Sequence, residues 1–94
     1  MRIKNINGTS QNKCRCGSWL DHWKNYSKQS VPIICPAYGC NGKDIVGAHV
    51  QKDSIYDNKW YIYPLCTSCN QKGGTLDVSD LYKLVSANVS ETCG

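Results

Sequence analysis

The chain has 94 residues, 40% of them hydrophobic and 19% charged, which suits one small domain and excludes both a disordered tail and a membrane-embedded protein. Phe is absent and Met occurs once, against six Tyr and three Trp, so the core has to be small and aromatic. The net charge of +4 comes from nine Lys and two Arg with no basic run, and four thiolates around one Zn²⁺ would lower it by two; a nucleic-acid partner is permitted by the charge but not demanded by it.

A domain of this size buries too little surface to be comfortable without a staple. Seven Cys supply the material. An odd number fits a closed disulfide framework poorly, and metal binding in a reducing compartment explains the spacing better. Residues 1–13 contain no apolar run of signal-peptide or membrane-spanning kind, so the reading is a cytoplasmic protein with no membrane partner.

In chain order, residues 1–13 are polar and read as a loose arm or a short edge strand. Cys14-Arg15-Cys16-Gly17 reads as a tight turn. Ser18 then caps a short helix through Tyr26, with Asp21 in capping-box position. Trp19, Trp23 and Tyr26 recur at helical spacing and read as a core stripe. Pro32 ends the helical region, and Cys35-Pro36-Ala37-Tyr38-Gly39-Cys40 forms a Cys-bounded knuckle. Asp44 to Lys52 and Trp60 to Leu65 have strand composition, with a polar loop between them; Pro64 limits how far the second strand can pair. Cys66 to Lys72 reads as a short helix closed by Gly73-Gly74. Val78 to Val85 reads as a last helix capped by Ser79, with Leu81, Leu84 and Val85 on one face.

The strongest chemical signal is Cys35-x4-Cys40 with Cys66-x2-Cys69. Zinc takes four ligands in a tetrahedron, and two short loops deliver two thiolates each. The stretch between the pairs is long enough for a hairpin, and bound metal supplies folding free energy. The competing reading is that these Cys are simply buried or disulfide-bonded. Cys14, Cys16 and Cys93, with His22, form a candidate second zinc site of Cys3His type; free thiols or a Cys14–Cys93 disulfide is the alternative there.

The order of Cys pair, strand carrying His49, loop, second strand, Tyr63-Pro64-Leu65-Cys66-x2-Cys69-Asn70 and short helix resembles the ββα-metal core of the HNH endonuclease family in its zinc-knuckle form, over about residues 35–74. The resemblance implies an α+β fold: a small zinc-stabilised domain, 1–94, with an HNH-like ββα-metal core plus flanking short helices. It implies His49, at the end of the first strand, as the general base that activates water, and Asn70 as an amide ligand to Mg²⁺ or another divalent ion that stabilises the departing oxygen. The sequence departs from the family at Ala48, where Asp or His commonly provides a further metal ligand, and at Tyr61, where Asn is usual. Asn58, Asp53 and Asp57 in the intervening loop are the available substitutes. The flanks, Cys-x-Cys-Gly-Ser-Trp-Leu and Leu-Val-x-Ala-Asn-Val-Ser-x-Thr-Cys, resemble a group of small bacterial proteins, which brings no activity with it.

The resemblance therefore implies a protein that engages nucleic acid, DNA before RNA, and that cleaves a phosphodiester if His49 and Asn70 work together. Lys43, Lys52, Lys59 and Lys72 are the candidate phosphate contacts; as scattered lysines they read equally well as solvated surface. The alternative is a non-catalytic, zinc-stabilised protein-interaction module, with Trp60, Tyr61 and Tyr63 as its exposed aromatics.

Overall fold

The computed structural model describes residues 1–6 and 18–88. Within them, strands β1 (Arg2–Asn5), β2 (Ile45–Lys52), β3 (Tyr61–Cys66), β4 (Thr75–Asp77) and β5 (Val85–Ser86) form an antiparallel sheet in the order β4-β1-β2-β3-β5. Helix α1 (Trp19–Ser27) precedes β2, and the single-turn helix α2 (Thr67–Gln71) follows β3 directly. The fold is α+β.

The β2–β3 hairpin is the centre of the sheet, pairing Ile45 with Cys66 through to Val50 with Tyr61. Side chains alternate between its two faces. Ala48, Val50, Tyr63 and Leu65 point one way, into a cluster with Ile3, Val78 and the thiols Cys35, Cys66 and Cys69. Ile62 points the other way, where it meets Trp23, Val85 and Trp19. Pro64 lies within β3, opposite Gly47. The pairing of β3 with β5 stops at Ile62, two residues short of the proline, whose nitrogen has no hydrogen to donate.

Helix α1 forms where its cap predicts. The Ser18 hydroxyl accepts from the Asp21 N–H at 3.1 Å, and the helix ends at Lys28 in the left-handed region (φ 61°). Of the aromatic stripe, Trp23 is fully buried and Trp19 half-buried, but Tyr26 is 43% exposed. The helix comes unusually close to the sheet because residue 47 is glycine. A β-carbon there would lie 2.5 Å from the Leu20 nitrogen and 2.5 Å from the Trp19 carbonyl carbon, both backbone atoms.

Two sequence expectations need correction. The N-terminal residues do form a strand, but β1 lies between β2 and β4 rather than at an edge. Its partners are remote in sequence, so no local pattern could place it. The expected last helix over Val78–Val85 is not formed. Val78 is buried and bridges Ala37, and Val85 pairs with Ile62. Between them the backbone groups a helix would satisfy internally go elsewhere: Leu81 N–H to the Ser79 hydroxyl, Leu81 C=O and Lys83 N–H to the Gln29 amide, and Lys83 C=O to the Trp23 indole at 2.7 Å. Strand β4 had no recognisable signal in the sequence.

Candidate metal centre

The Sγ atoms of Cys35, Cys40, Cys66 and Cys69 all lie within 4.8 Å of one another. Cys40 Sγ is 3.5 Å from Cys66 Sγ and 3.5 Å from Cys69 Sγ. A regular ZnS4 tetrahedron with bonds of about 2.3 Å places its sulfurs about 3.8 Å apart, so the four thiols fit a zinc ion with small adjustments. None of the four is in a disulfide. With four protein ligands, no coordination position is left for water or substrate, which is the arrangement of a structural site.

Local backbone geometry gathers the thiols. In the first knuckle, Cys35 N–H donates to Gly42 C=O (2.8 Å) and Cys40 N–H to Ala37 C=O (3.1 Å). Gly39 takes the positive φ of 79° that closes the turn. In the second, Cys66 caps α2, its sulfur accepting from Cys69 N–H at 3.5 Å. The two knuckles also share bonds: Cys66 N–H donates to Cys35 Sγ (3.3 Å) and Thr67 N–H to Asp44 C=O (3.0 Å). Gly42 is required by contact, since a β-carbon would sit 2.5 Å from Cys66 Sγ.

The thiols differ electrostatically. The Gly42 N–H, at 3.4 Å, is the first reason that Cys40 falls to about 7. Burial pushes Cys35 and Cys69 upward. A divalent cation would override both effects by holding all four as thiolates.

No family model, curated protein or solved structure matches this chain.

The structure does not bring His49 and Asn70 together. β2 runs on past His49 to Lys52, so the histidine is inside the strand and not at its end. Its ring faces α1, edge-on to Trp19 at 4.6 Å, and is 6% exposed. Burial, and secondarily the neighbouring His22, hold its imidazole below the ordinary value of 6.5. Asn70 belongs to α2, which packs on the opposite face beside Cys69. Ala48, where the HNH resemblance calls for a ligand, is 1% exposed and offers only a methyl group to the metal-face core. Among the loop substitutes, Asp57 accepts from the Tyr61 hydroxyl at 2.7 Å and from Lys59 N–H at 2.9 Å. The Tyr61 bond is the main cause of its lowered carboxyl; burial and the same bond push the Tyr61 phenol up to about 12.

Cys14, Cys16 and Cys93 lie outside the described residues. Their proposed companion His22 is fully buried, with Nε2 2.8 Å from Ser86 C=O, so any metal contact would have to run through Nδ1. The four candidate lysines are all exposed. Lys43 and Lys52 flank opposite ends of β2. Lys52 is engaged by Asp57 (3.6 Å) and lies over the Tyr61 ring. The proposed aromatic surface also needs correction: Tyr63 is completely buried, donating its hydroxyl to Ser79 C=O at 2.7 Å, and Tyr61 is half-buried. Only Trp60 of the three is exposed.

Sequence reasoning missed Asn5. Its amide nitrogen donates to Cys69 C=O (2.7 Å) and Lys72 C=O (2.9 Å), tying β1 to the end of α2 and so to the second knuckle. An Asn in a polar arm gives no local sign of this role. Among the described residues, no helix is long and apolar enough to cross a membrane.

Proposed function

We propose that this chain is a zinc-stabilised recognition domain without catalytic activity, in which one structural Zn²⁺ held by Cys35, Cys40, Cys66 and Cys69 fixes the two knuckles. The observation that carries this reading is the closed set of four thiols within 4.8 Å, which needs no further ligand. A protein partner is favoured over nucleic acid. Ile33, Ile55, Tyr56 and Leu81 are 79–92% exposed, and large apolar groups held in water gain most from a protein surface. Of the candidate lysines, in contrast, Lys43 and Lys52 stand toward opposite ends of β2.

The second reading is an HNH-like nuclease. It is supported by the order of parts, an antiparallel β2–β3 hairpin followed at once by the helix that carries Asn70. One experiment separates the two. Native mass spectrometry counts zinc in the purified chain, and the same preparation is tested for nicking of supercoiled plasmid with Mg²⁺, Mn²⁺ and Ni²⁺, beside His49→Ala. The expected result is bound zinc and no nicking attributable to His49. Nicking by the parent that disappears in His49→Ala would establish the nuclease instead, and a zinc-free, folded protein would remove the structural-metal reading.

A further inference from the structure

Three of the four thiols are sealed from solvent: Cys35, Cys66 and Cys69 are 5%, 2% and 1% exposed. Cys40 is the exception and is partly exposed. No side chain projects from Gly42 to cover it; a β-carbon there would be 3.5 Å from Cys40 Sγ. The sulfur of this partly exposed cysteine also lies 3.5 Å from two sulfurs of the other knuckle, those of Cys66 and Cys69.

We propose that Cys40 is an oxidative modification site, where a hydroperoxide enters the metal centre and converts it to a disulfide that joins the two knuckles. This rests on the structural-zinc reading above. In the first step the Cys40 sulfur attacks a peroxide oxygen and the O–O bond breaks. The leaving hydroxide takes a proton to become water, and Cys40 becomes a sulfenic acid. In the second step the sulfur of Cys66 or Cys69 attacks the Cys40 sulfur, the S–O bond breaks, and the second hydroxide leaves as water with a second proton. Two thiolates lose two electrons in total, and hydrogen peroxide is reduced to two molecules of water. The two sulfurs so joined no longer supply thiolates to a metal.

The consequence reaches beyond the centre. The first knuckle holds the end of β4 and the chain after it through Tyr38 N–H to Asp77 C=O, Ser79 N–H to Pro36 C=O and the Ala37–Val78 bridge. Oxidation at Cys40 loosens the anchor of that segment.

The test uses the full zinc-loaded chain and substoichiometric hydrogen peroxide. Zinc release is followed with a chromogenic chelator, while blocked and digested samples are mapped for the state of all seven Cys. Cys40 is expected to be the first of the four cluster thiols to react, in a disulfide with Cys66 or Cys69, in step with zinc release. Cys40→His, which keeps a zinc-ligating group, is expected to release zinc several-fold more slowly, whereas Cys35→His keeps the parent rate. Earlier oxidation of Cys35, Cys66 or Cys69 overturns the proposal, as does a Cys40→His variant that releases zinc at the parent rate. Oxidation confined to Cys14, Cys16 and Cys93 under excess peroxide also overturns it. If neither His variant holds zinc, the order of modification in the parent decides alone. Absence of zinc from the untreated parent is a separate result, which sinks the structural-metal reading itself and this inference with it.

Discussion

The two faces of the β2–β3 hairpin are built on different principles. The metal face combines small or medium apolar groups, Ala48, Val50 and Leu65, with three buried thiols. The opposite face combines Trp23, Ile62 and Val85 with two buried histidines, His22 of α1 and His49 of β2. There two buried ring nitrogens are answered by backbone from the C-terminal segment: the Trp23 indole by Lys83 C=O, and His22 Nε2 by Ser86 C=O. Neighbouring residues such as Ala48 and His49 thus depend on different things. One side gathers four thiols that could hold a metal ion, and the other needs a helix and a returning chain.

The harshest way to break this comparison is to remove the Zn²⁺ of the proposed function. Structural zinc in small domains contributes about 10–16 kcal/mol of apparent binding free energy, against total stabilities of about 5–15 kcal/mol. Chelation is therefore expected to melt both faces together, because β2 and β3 serve both. The near-ultraviolet circular dichroism of the tryptophans, followed during a chelator titration, reads the aromatic face. A tryptophan signal that survives complete zinc loss would show that the faces are independent.

Trp23→Ala attacks the aromatic face alone. Emptying a fully buried tryptophan site costs about 3–5 kcal/mol, and the indole's bond to Lys83 is lost as well. Urea denaturation should show that loss, while the zinc content of the remaining folded protein stays that of the parent.

The two glycines sharpen the contrast further. Gly47→Ala drives a methyl against the α1 backbone and is expected to cost about 1–3 kcal/mol, as overpacking does, with zinc affinity unchanged. Gly42→Ala drives a methyl against Cys66 Sγ and is expected to weaken zinc in a chelator competition, with a smaller effect on the aromatic face.

The smallest effect is a pH dependence. The unfolded chain protonates His49 near 6.5, and the fold resists that proton. Stability is therefore flat above that value, falls as pH drops from 6.5 to the lower folded value, and levels off beneath it. Subtracting the denaturation curves of His49→Leu from those of the parent, between about pH 7.5 and 5.5, isolates this slope from acid loss of metal. An identical slope in both proteins would show that His49 does not carry it.

Much of the metal face, and the start of α1 on the other, was legible from local signals. The two Cys pairs, the hairpin between them, the Ser18 cap and the short α2 each lie within a few residues of their own evidence, and each appears where expected. The failures were non-local. Ser79 looks like a helix cap, but Gln29 and Trp23 take the backbone groups of the following residues. Tyr63 looks like a surface aromatic until Ser79 C=O receives its hydroxyl in the core. His49 and Asn70 sit in a suggestive order, but the alternation of β2 turns the histidine toward α1 while α2 packs on the other face.

The sequence by itself determined that this protein gathers four thiols on two knuckles around a hairpin, because short loops and ligand spacing are properties of adjacent residues. Only the tertiary structure decided which face each side chain occupies, that β1 is an interior strand, that Asn5 ties it to the second knuckle, and that Cys40 is the thiol left within reach of solvent. Those outcomes depend on pairings between segments far apart in the chain, whose energies no local pattern records.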